Sequence, residues 1–268
     1  MQNGGCIMTL SLLDKPTFQL LNRKTLKYSL VAAEKDYFLA LVLKILNESP
    51  LFSSLVFKGG TALHHCYLSQ TRFSEDLDFT SLDKALKSED VVAIFAQYST
   101  FEVKKLYTSN ATIKIERLKY SGVLDIPNSL KVDIDFIQNV VLPAKRLPYK
   151  NVWGLEVVVN VMDVREIYAE KLRAMAERAR YRDFYDFYLI AQEYHLDLEE
   201  TVELLKQKEV RRPVSKEAVL SNWEIASSSR RDEIDLVFYK HEVFNHEEWI
   251  EEFLNSIHFE TIYPRRSS

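Results

Sequence analysis

The sequence predicts an α/β (α+β) protein in two parts: an α/β domain with an N-terminal helix over residues 1–162 and a helical domain over residues 163–268. Two patterns carry this reading. Short runs of strand character alternate with helical runs up to Val161, and helical periodicity takes over from Asp163 onward. The length, 268 residues, suits two domains, and 47% hydrophobic residues with few glycines and prolines describe a folded chain. No internal repeat or low-complexity tract interrupts it.

The elements follow in order. Residues Val31 to Leu46 place Phe38, Leu41, Val42, Ile45 and Leu46 at i, i+3, i+4, i+7 and i+8 and stop at Asn47-Glu48-Ser49-Pro50, which predicts a helix. Leu55-Val56-Phe57 reads as a short buried strand running into Gly59-Gly60, and Thr61 to Leu68 as a helix after it. Glu75 to Thr80 alternates, with Leu77 and Phe79 on one face and Asp76, Asp78 and Thr80 on the other, so it reads as a half-buried strand. A helix is expected within Leu82 to Tyr98, then strands at Phe101 to Tyr107, Thr112 to Tyr120 and Leu130 to Ile137. Ser121-Gly122 and Pro127-Asn128-Ser129 mark the turn between the last two. Pro143 and Pro148 bracket a polar, basic stretch, and Leu155 to Val161 reads as the final strand.

In the helical part, Asp163 three residues before Glu166 has the form of a capping box. Val164, Tyr168, Leu172, Met175 and Ala179 make a core stripe, and Lys171 lies on the neighbouring stripe with Ile167, Ala174 and Arg178, where a lysine needs a partner. Asp183 and Asp186 are i, i+3 on the next helix and can face one direction, with Arg182 placed to pair with Asp186 and Asp183 placed to cap the helix. Glu199 to Lys206 and Asn245 to Phe253 are amphipathic helical stretches.

A formal charge of −4 excludes a chain built for unspecific binding to nucleic acid, while leaving room for a local basic groove. The basic pairs Arg211-Arg212, Arg230-Arg231 and Arg265-Arg266 fit either solvated surface or the lining of an RNA groove. Cys6 and Cys66 have no disulfide-like or CxxC spacing, which favours a reducing, cytoplasmic setting and gives no support to thiolate metal binding. The first residues lack a cationic segment and cleavage site, so no signal peptide is expected. The longest apolar run, Tyr37 to Leu46, contains Lys44 and falls far short of the roughly 20 residues of a membrane span, so no membrane partner is expected.

Chemistry concentrates at Phe57 to Thr80. Side chains at i and i+2 of a strand share a face, roughly 6.5 to 7 Å apart, so Asp76 and Asp78 point the same way. Such a pair fits solvated aspartates on an exposed strand, and it also fits hard-oxygen ligands of Mg²⁺ (or Mn²⁺). The strand-glycine-helix order of Val56 to Thr61 favours the second reading, because free N–H groups at such a turn can hold phosphate oxygens. A third carboxylate is available at Asp133 or Asp135, which share the face opposite Val132, Ile134 and Phe136; charges that protect an edge strand are the competing explanation. His64 and His65 are adjacent, diverge by roughly 100° on a helix and do not both ligate one ion.

Four blocks together resemble the AbiEii/AbiGii nucleotidyltransferase toxins, which include the MenT group: Glu34-Lys35-Asp36-Tyr37; Phe57 to Leu63 with Arg72 to Phe79; Glu166 to Ala174; and Arg182 to Asp186. The resemblance implies a DNA polymerase β-like nucleotidyltransferase fold with a mixed sheet, followed by a helical domain. It implies Mg²⁺-dependent transfer of a nucleotide from an NTP to an acceptor, a tRNA 3′ end in characterised relatives, and a cognate antitoxin in a type IV toxin–antitoxin or phage-defence system. Carried over residue by residue, Gly59, Gly60 and Thr61 would touch the triphosphate. Asp76, Asp78 and Asp133 (with Asp135 as the alternative) would hold metal. Arg72 and Ser74 would contact phosphate, with Ser74 on the carboxylate face if the strand begins that early. Lys171 would reach the NTP phosphates, and Asp186, ranked above Asp183, would orient Lys171 or the acceptor. A non-catalytic NTP-binding regulator and an enzyme modifying a small hydroxylated molecule, as antibiotic nucleotidyltransferases do, are the alternatives.

Overall fold

The structure, a computed structural model, describes residues 7–230 and 246–264. Cys6, Arg231, Asn245, Arg265 and Arg266, named above, lie outside the described residues. The chain divides into two compact units. The first comprises Met1–Ser69, Phe73–Ile137 and Ala144–Val161; the second comprises Gln70–Arg72, Gln138–Pro143 and Met162–Ser268.

The first unit is built on a seven-stranded mixed sheet of β1 (Leu55–Lys58), β2 (Asp76–Ser81), β3 (Phe101–Thr108), β4 (Thr112–Tyr120), β5 (Asn128–Asp135), β6 (Lys145–Pro148) and β7 (Val158–Val161). Their order is β3-β4-β5-β2-β1-β7-β6. The β2–β5 and β1–β7 pairs are parallel and the others antiparallel. Period-2 alternation does what the sequence implies: Leu77, Ile113, Ile115, Val132 and Ile134 are buried. Helix α2 (Leu30–Asn47) contacts β5 and β7 and is buried nearly all round, with Phe38 stacked on Tyr120 at 3.8 Å between ring centroids.

Two elements escaped the sequence reading. Helix α1 (Lys15–Lys24) starts at Asp14, whose carboxylate accepts the Thr17 N–H at 2.9 Å, with a proline in the first turn; this Asp-x-Pro start was the available signal. Strand β6 pairs antiparallel with β7 inside the stretch read only as polar and basic. Four residues with two charges and a proline make an edge strand that alternation cannot reveal. The helix expected over 61–68 begins earlier, as α3 (Gly59–Ala62), and widens into a π-helix at Leu63–Tyr67. Helix α4 covers Ser88–Ala96.

The second unit contains α5 (Val164–Glu177), α6 (Tyr181–Tyr194), α7 (Leu198–Lys206), α8 (Lys216–Ser228) and α9 (His246–Ser256). Helix α5 packs on α6, α7 and α8, and Tyr168 stacks on Phe187 at 4.1 Å. The expected core stripe is buried through Met175, but α5 ends at Glu177, so Ala179 lies beyond it. Asp163 caps α5 by accepting the Arg165 N–H at 3.0 Å. The capping box does not close in the expected way. The Glu166 carboxylate instead accepts the N–H groups of Val141 (2.9 Å) and Leu142 (3.0 Å) and the ammonium of Lys208 (2.5 Å).

Candidate active site

In the first unit, strand register builds a row of charges across the sheet. Lys58 of β1 stands opposite Asp78 of β2, Asp78 opposite Asp133 of β5, and Asp133 opposite Lys114 of β4. Directly opposed residues share a face, so these four side chains lie on the side away from Leu77, Val132 and Ile115. Asp76 and Asp135 occupy the same face two residues either side of that row. Asp133 accepts from the Thr112 hydroxyl at 2.7 Å and from the Lys114 ammonium at 2.5 Å. That hydrogen bond, opposed by desolvation and aided by the charges of Asp133, Asp78 and Asp135, pushes the Lys114 pKa up. Lys58 Nζ lies 3.8 Å from Asp135 Oδ2.

The glycine turn abuts this row. Gly59 has φ +77°, a left-handed conformation open to glycine, and a Cβ there would lie 2.5 Å from Asp78 Oδ2. Backbone and carboxylate therefore approach as closely as only glycine allows. The Thr61 hydroxyl donates to the Asp76 carbonyl at 2.6 Å, so this buried side chain pins α3 to the start of β2. Ser74 does not share the carboxylate face as a strand residue, because β2 begins at Asp76.

The second unit holds a separate buried cluster. Lys171 Nζ lies 2.9 Å from Asp183 Oδ1 and 2.7 Å from Asp186 Oδ2. Arg72 grips Asp186 through two hydrogen bonds, from Nε (2.7 Å) and Nη2 (2.6 Å), and is itself only 2% exposed. Arg178 donates to Asp183 from Nε at 2.7 Å. Burial alone would raise the Asp183 pKa; Lys171 and Arg178, by charge and by hydrogen bond, overcome it and hold the carboxyl well below the usual carboxylate range. Asp183 is not the cap of α6, since Arg180 occupies that position and Asp183 lies in the first turn.

A family model described as "Nucleotidyl transferase AbiEii toxin, Type IV TA system" matches residues 41–255, most of the chain. The chain belongs to the AbiEii nucleotidyltransferase toxin family. It is accordingly a nucleotidyltransferase of the type IV toxin–antitoxin kind, for which an NTP substrate and an antitoxin partner are implied.

Two solved structures share the fold. MenT4, a nucleotidyltransferase toxin from Mycobacterium tuberculosis H37Rv, superposes with TM-score 0.68 at 23% identity over 90% of each chain. A proposed nucleotidyltransferase from H. pylori superposes with TM-score 0.50 at 17% identity, over 87% of this chain and 100% of that one. No curated protein sequence gives a match. Among the described residues no helix is long and apolar enough to cross a membrane.

Several residues of the AbiEii blocks hold structure. Glu34 accepts the Leu124 N–H (2.8 Å), Asp36 accepts from the Trp153 indole (2.8 Å), Lys35 pairs with Glu75 (2.6 Å), and the Tyr37 hydroxyl accepts the Leu13 N–H (3.0 Å). Each side chain of that block thus fastens a different segment to α2. Glu166 and Glu170 both flank Lys208, leaving Lys171 as the member of its block that meets Asp183 and Asp186. His65 Nδ1 lies 2.8 Å from the Lys150 carbonyl and both histidines are buried, while burial pushes the Cys66 thiol up to about 12.

The donor set can be tested for a divalent cation. Hard carboxylate oxygens on one sheet face suit Mg²⁺ or Mn²⁺. Among the described residues, however, no group of three or more His, Cys, Asp or Glu residues is drawn close enough to hold an ion. Asp133 is engaged by Lys114 and Thr112. The pair that fits is Asp76 with Asp78, an arrangement suited to an ion that takes one or two carboxylates and fills its shell with water and phosphate oxygens. Lys58, Lys114 and Arg178 had not been assigned site roles from the sequence; for Lys114 the signal was the alternation of Thr112, Lys114 and Glu116 on the polar face of β4.

Proposed function

We propose that the chain transfers a nucleotide from an NTP to a polynucleotide acceptor, a tRNA 3′ end, using Mg²⁺ or Mn²⁺ held by Asp76 and Asp78; Asp133 would join as third carboxylate on release from Lys114 and Thr112, with Asp135 as its alternative. The observation that carries this reading is the close approach of Gly59 to Asp78: a bare backbone turn and a metal-competent carboxylate pair stand at one point of the sheet. When bound, the ion supplies positive charge to the α-phosphate and to the attacking hydroxyl.

The chain's own residues do the rest. Backbone N–H groups at Gly59 and Gly60 hold triphosphate oxygens where no side chain intervenes. Thr61 acts by pinning the turn to Asp76. Lys171 offers its ammonium to the triphosphate as the leaving pyrophosphate gains charge. Asp183 and Asp186 aim that ammonium, and Arg72 contributes by fixing Asp186 rather than by free contact with phosphate. Ser74, just ahead of β2, remains a phosphate contact in this proposal.

The test is incubation of purified protein with each labelled NTP, Mg²⁺ and total tRNA, comparing wild type with Asp76→Ala. Labelled tRNA is expected from one NTP with wild type, reduced about 100-fold or more in the variant. Equal labelling by both proteins, or no labelling of tRNA, would refute the proposal. Product mass on small hydroxylated acceptors separates tRNA transfer from small-molecule modification.

A further inference from the structure

At Asp76 and Asp133 the polar face of the sheet opens into a groove of about 540 Å³ that these two carboxylates and Glu116 line together with the cations Lys105, Lys114, Arg117 and Lys131. Lys105 is paired with Glu116 and Lys114 with Asp133. Arg117 and Lys131 are exposed and make no ion pair with a described residue, although the charge of Lys131 reaches Glu116 through space. A register shift between Ile115 and Leu118 interrupts the β4–β5 pairing where Arg117 sits, and Lys131 lies directly opposite Asp76. Beside this groove, Tyr107 of edge strand β3 stands opposite Lys114 with 53% of its surface exposed.

Unpaired cations leading to the reactive carboxylates, with a bare aromatic ring alongside, are what a single-stranded polynucleotide needs: charge for its phosphates and a platform for a base. An acidic polypeptide would use the cations but has no need of the ring. We propose that this groove binds the acceptor strand, with Arg117 and Lys131 on successive phosphates and Tyr107 stacked on a base. The inference rests on the reading above that the acceptor is RNA, and adds the surface that receives it.

The experiment uses the full chain and a fluorescein-labelled single-stranded RNA of about 12 nucleotides, with affinity followed by anisotropy at several salt concentrations. Arg117→Ala with Lys131→Ala is expected to flatten the plot of log affinity against log salt by about 1.4, from about 0.7 per lost phosphate contact. Tyr107→Ala is expected to weaken binding about 5- to 150-fold and Tyr107→Phe to preserve it. NTP affinity by calorimetry stays at the wild-type value in all variants. An unchanged salt slope with unchanged Tyr107→Ala affinity would overturn the proposal, as would displacement of the RNA by poly-glutamate at equal charge. RNA binding through these residues without nucleotide transfer would refute the preceding reading and leave the groove standing. Labelling of tRNA that is unchanged in the Arg117→Ala/Lys131→Ala and Tyr107→Ala variants would do the reverse.

Discussion

Gly59 and Arg72 show how single residues hold the two charged clusters. A methyl group at Gly59 meets Asp78 Oδ2 at 2.5 Å and forces a side chain into a left-handed backbone, at about 1–2 kcal/mol. Gly59→Ala is therefore expected to lower transfer sharply with a modest fall in melting temperature, checked by nucleotide-transfer rate alongside thermal unfolding; wild-type turnover would show that the close approach is dispensable. Arg72→Met removes the bidentate partner of a carboxylate that is fully buried, and breaking such a pair costs about 3–5 kcal/mol. Urea unfolding should show that loss. Asp183 gives a pH signature: its carboxyl titrates below the ordinary aspartate value of 3.8, so its stabilisation is complete above that value and is lost as the solution is acidified through and below it. The gap between the unfolding free energies of wild type and Asp183→Asn should stay constant from pH 7 to pH 5 and narrow as the pH falls below 3.8, and a gap that stays constant down to about pH 2 would count against the pairing.

At the level of elements, α2 acts as a bracket. Its Glu34 is completely buried, accepts the Leu124 N–H, and lies where a Cβ on Gly122 would sit, 2.3 Å from Oε1. The β4–β5 turn can close over a buried carboxyl because Gly122 has no side chain. Gly122→Ala is expected to destabilise by about 1–3 kcal/mol through overpacking, measured by denaturant unfolding, while Glu34→Gln, which keeps an acceptor for Leu124, costs less. The ordering of these two variants is the check. The period-2 signal made β2, β4 and β5 legible because one face of each meets the core and the other does not. Strand β6 was not legible because neither of its faces is buried enough to impose a pattern.

On the scale of the whole chain, the second unit is assembled from three stretches of sequence: Gln70–Arg72, Gln138–Pro143 and the segment from Met162. Its buried acids depend on all three, since Asp186 is held by Arg72 and Glu166 by the N–H groups of Val141 and Leu142. A fragment of residues 162–268 would keep Lys171 and Lys208 but take from those buried carboxylates Arg72 and the N–H groups of Val141 and Leu142. It is expected to melt without cooperativity in circular dichroism, whereas the full chain melts cooperatively; a sharp transition in the fragment would contradict this account. The two-part organisation visible as a change of period near residue 162 thus hides an interleaved chain.

Local pattern alone determined that Asp76 and Asp78 share a strand face and that Asp183 and Asp186 share a helix face, because periodicity is a property of neighbouring residues, while four motif blocks carried the resemblance to nucleotidyltransferase toxins. Tertiary structure decided which charge answers each carboxylate: Lys114 for Asp133, Arg72 and Lys171 for Asp186, and Lys208 for Glu166. Most of those partners stand many residues apart in sequence. Burial is what makes such pairings obligatory, since a carboxylate removed from water must find its counter-charge wherever the fold brings one.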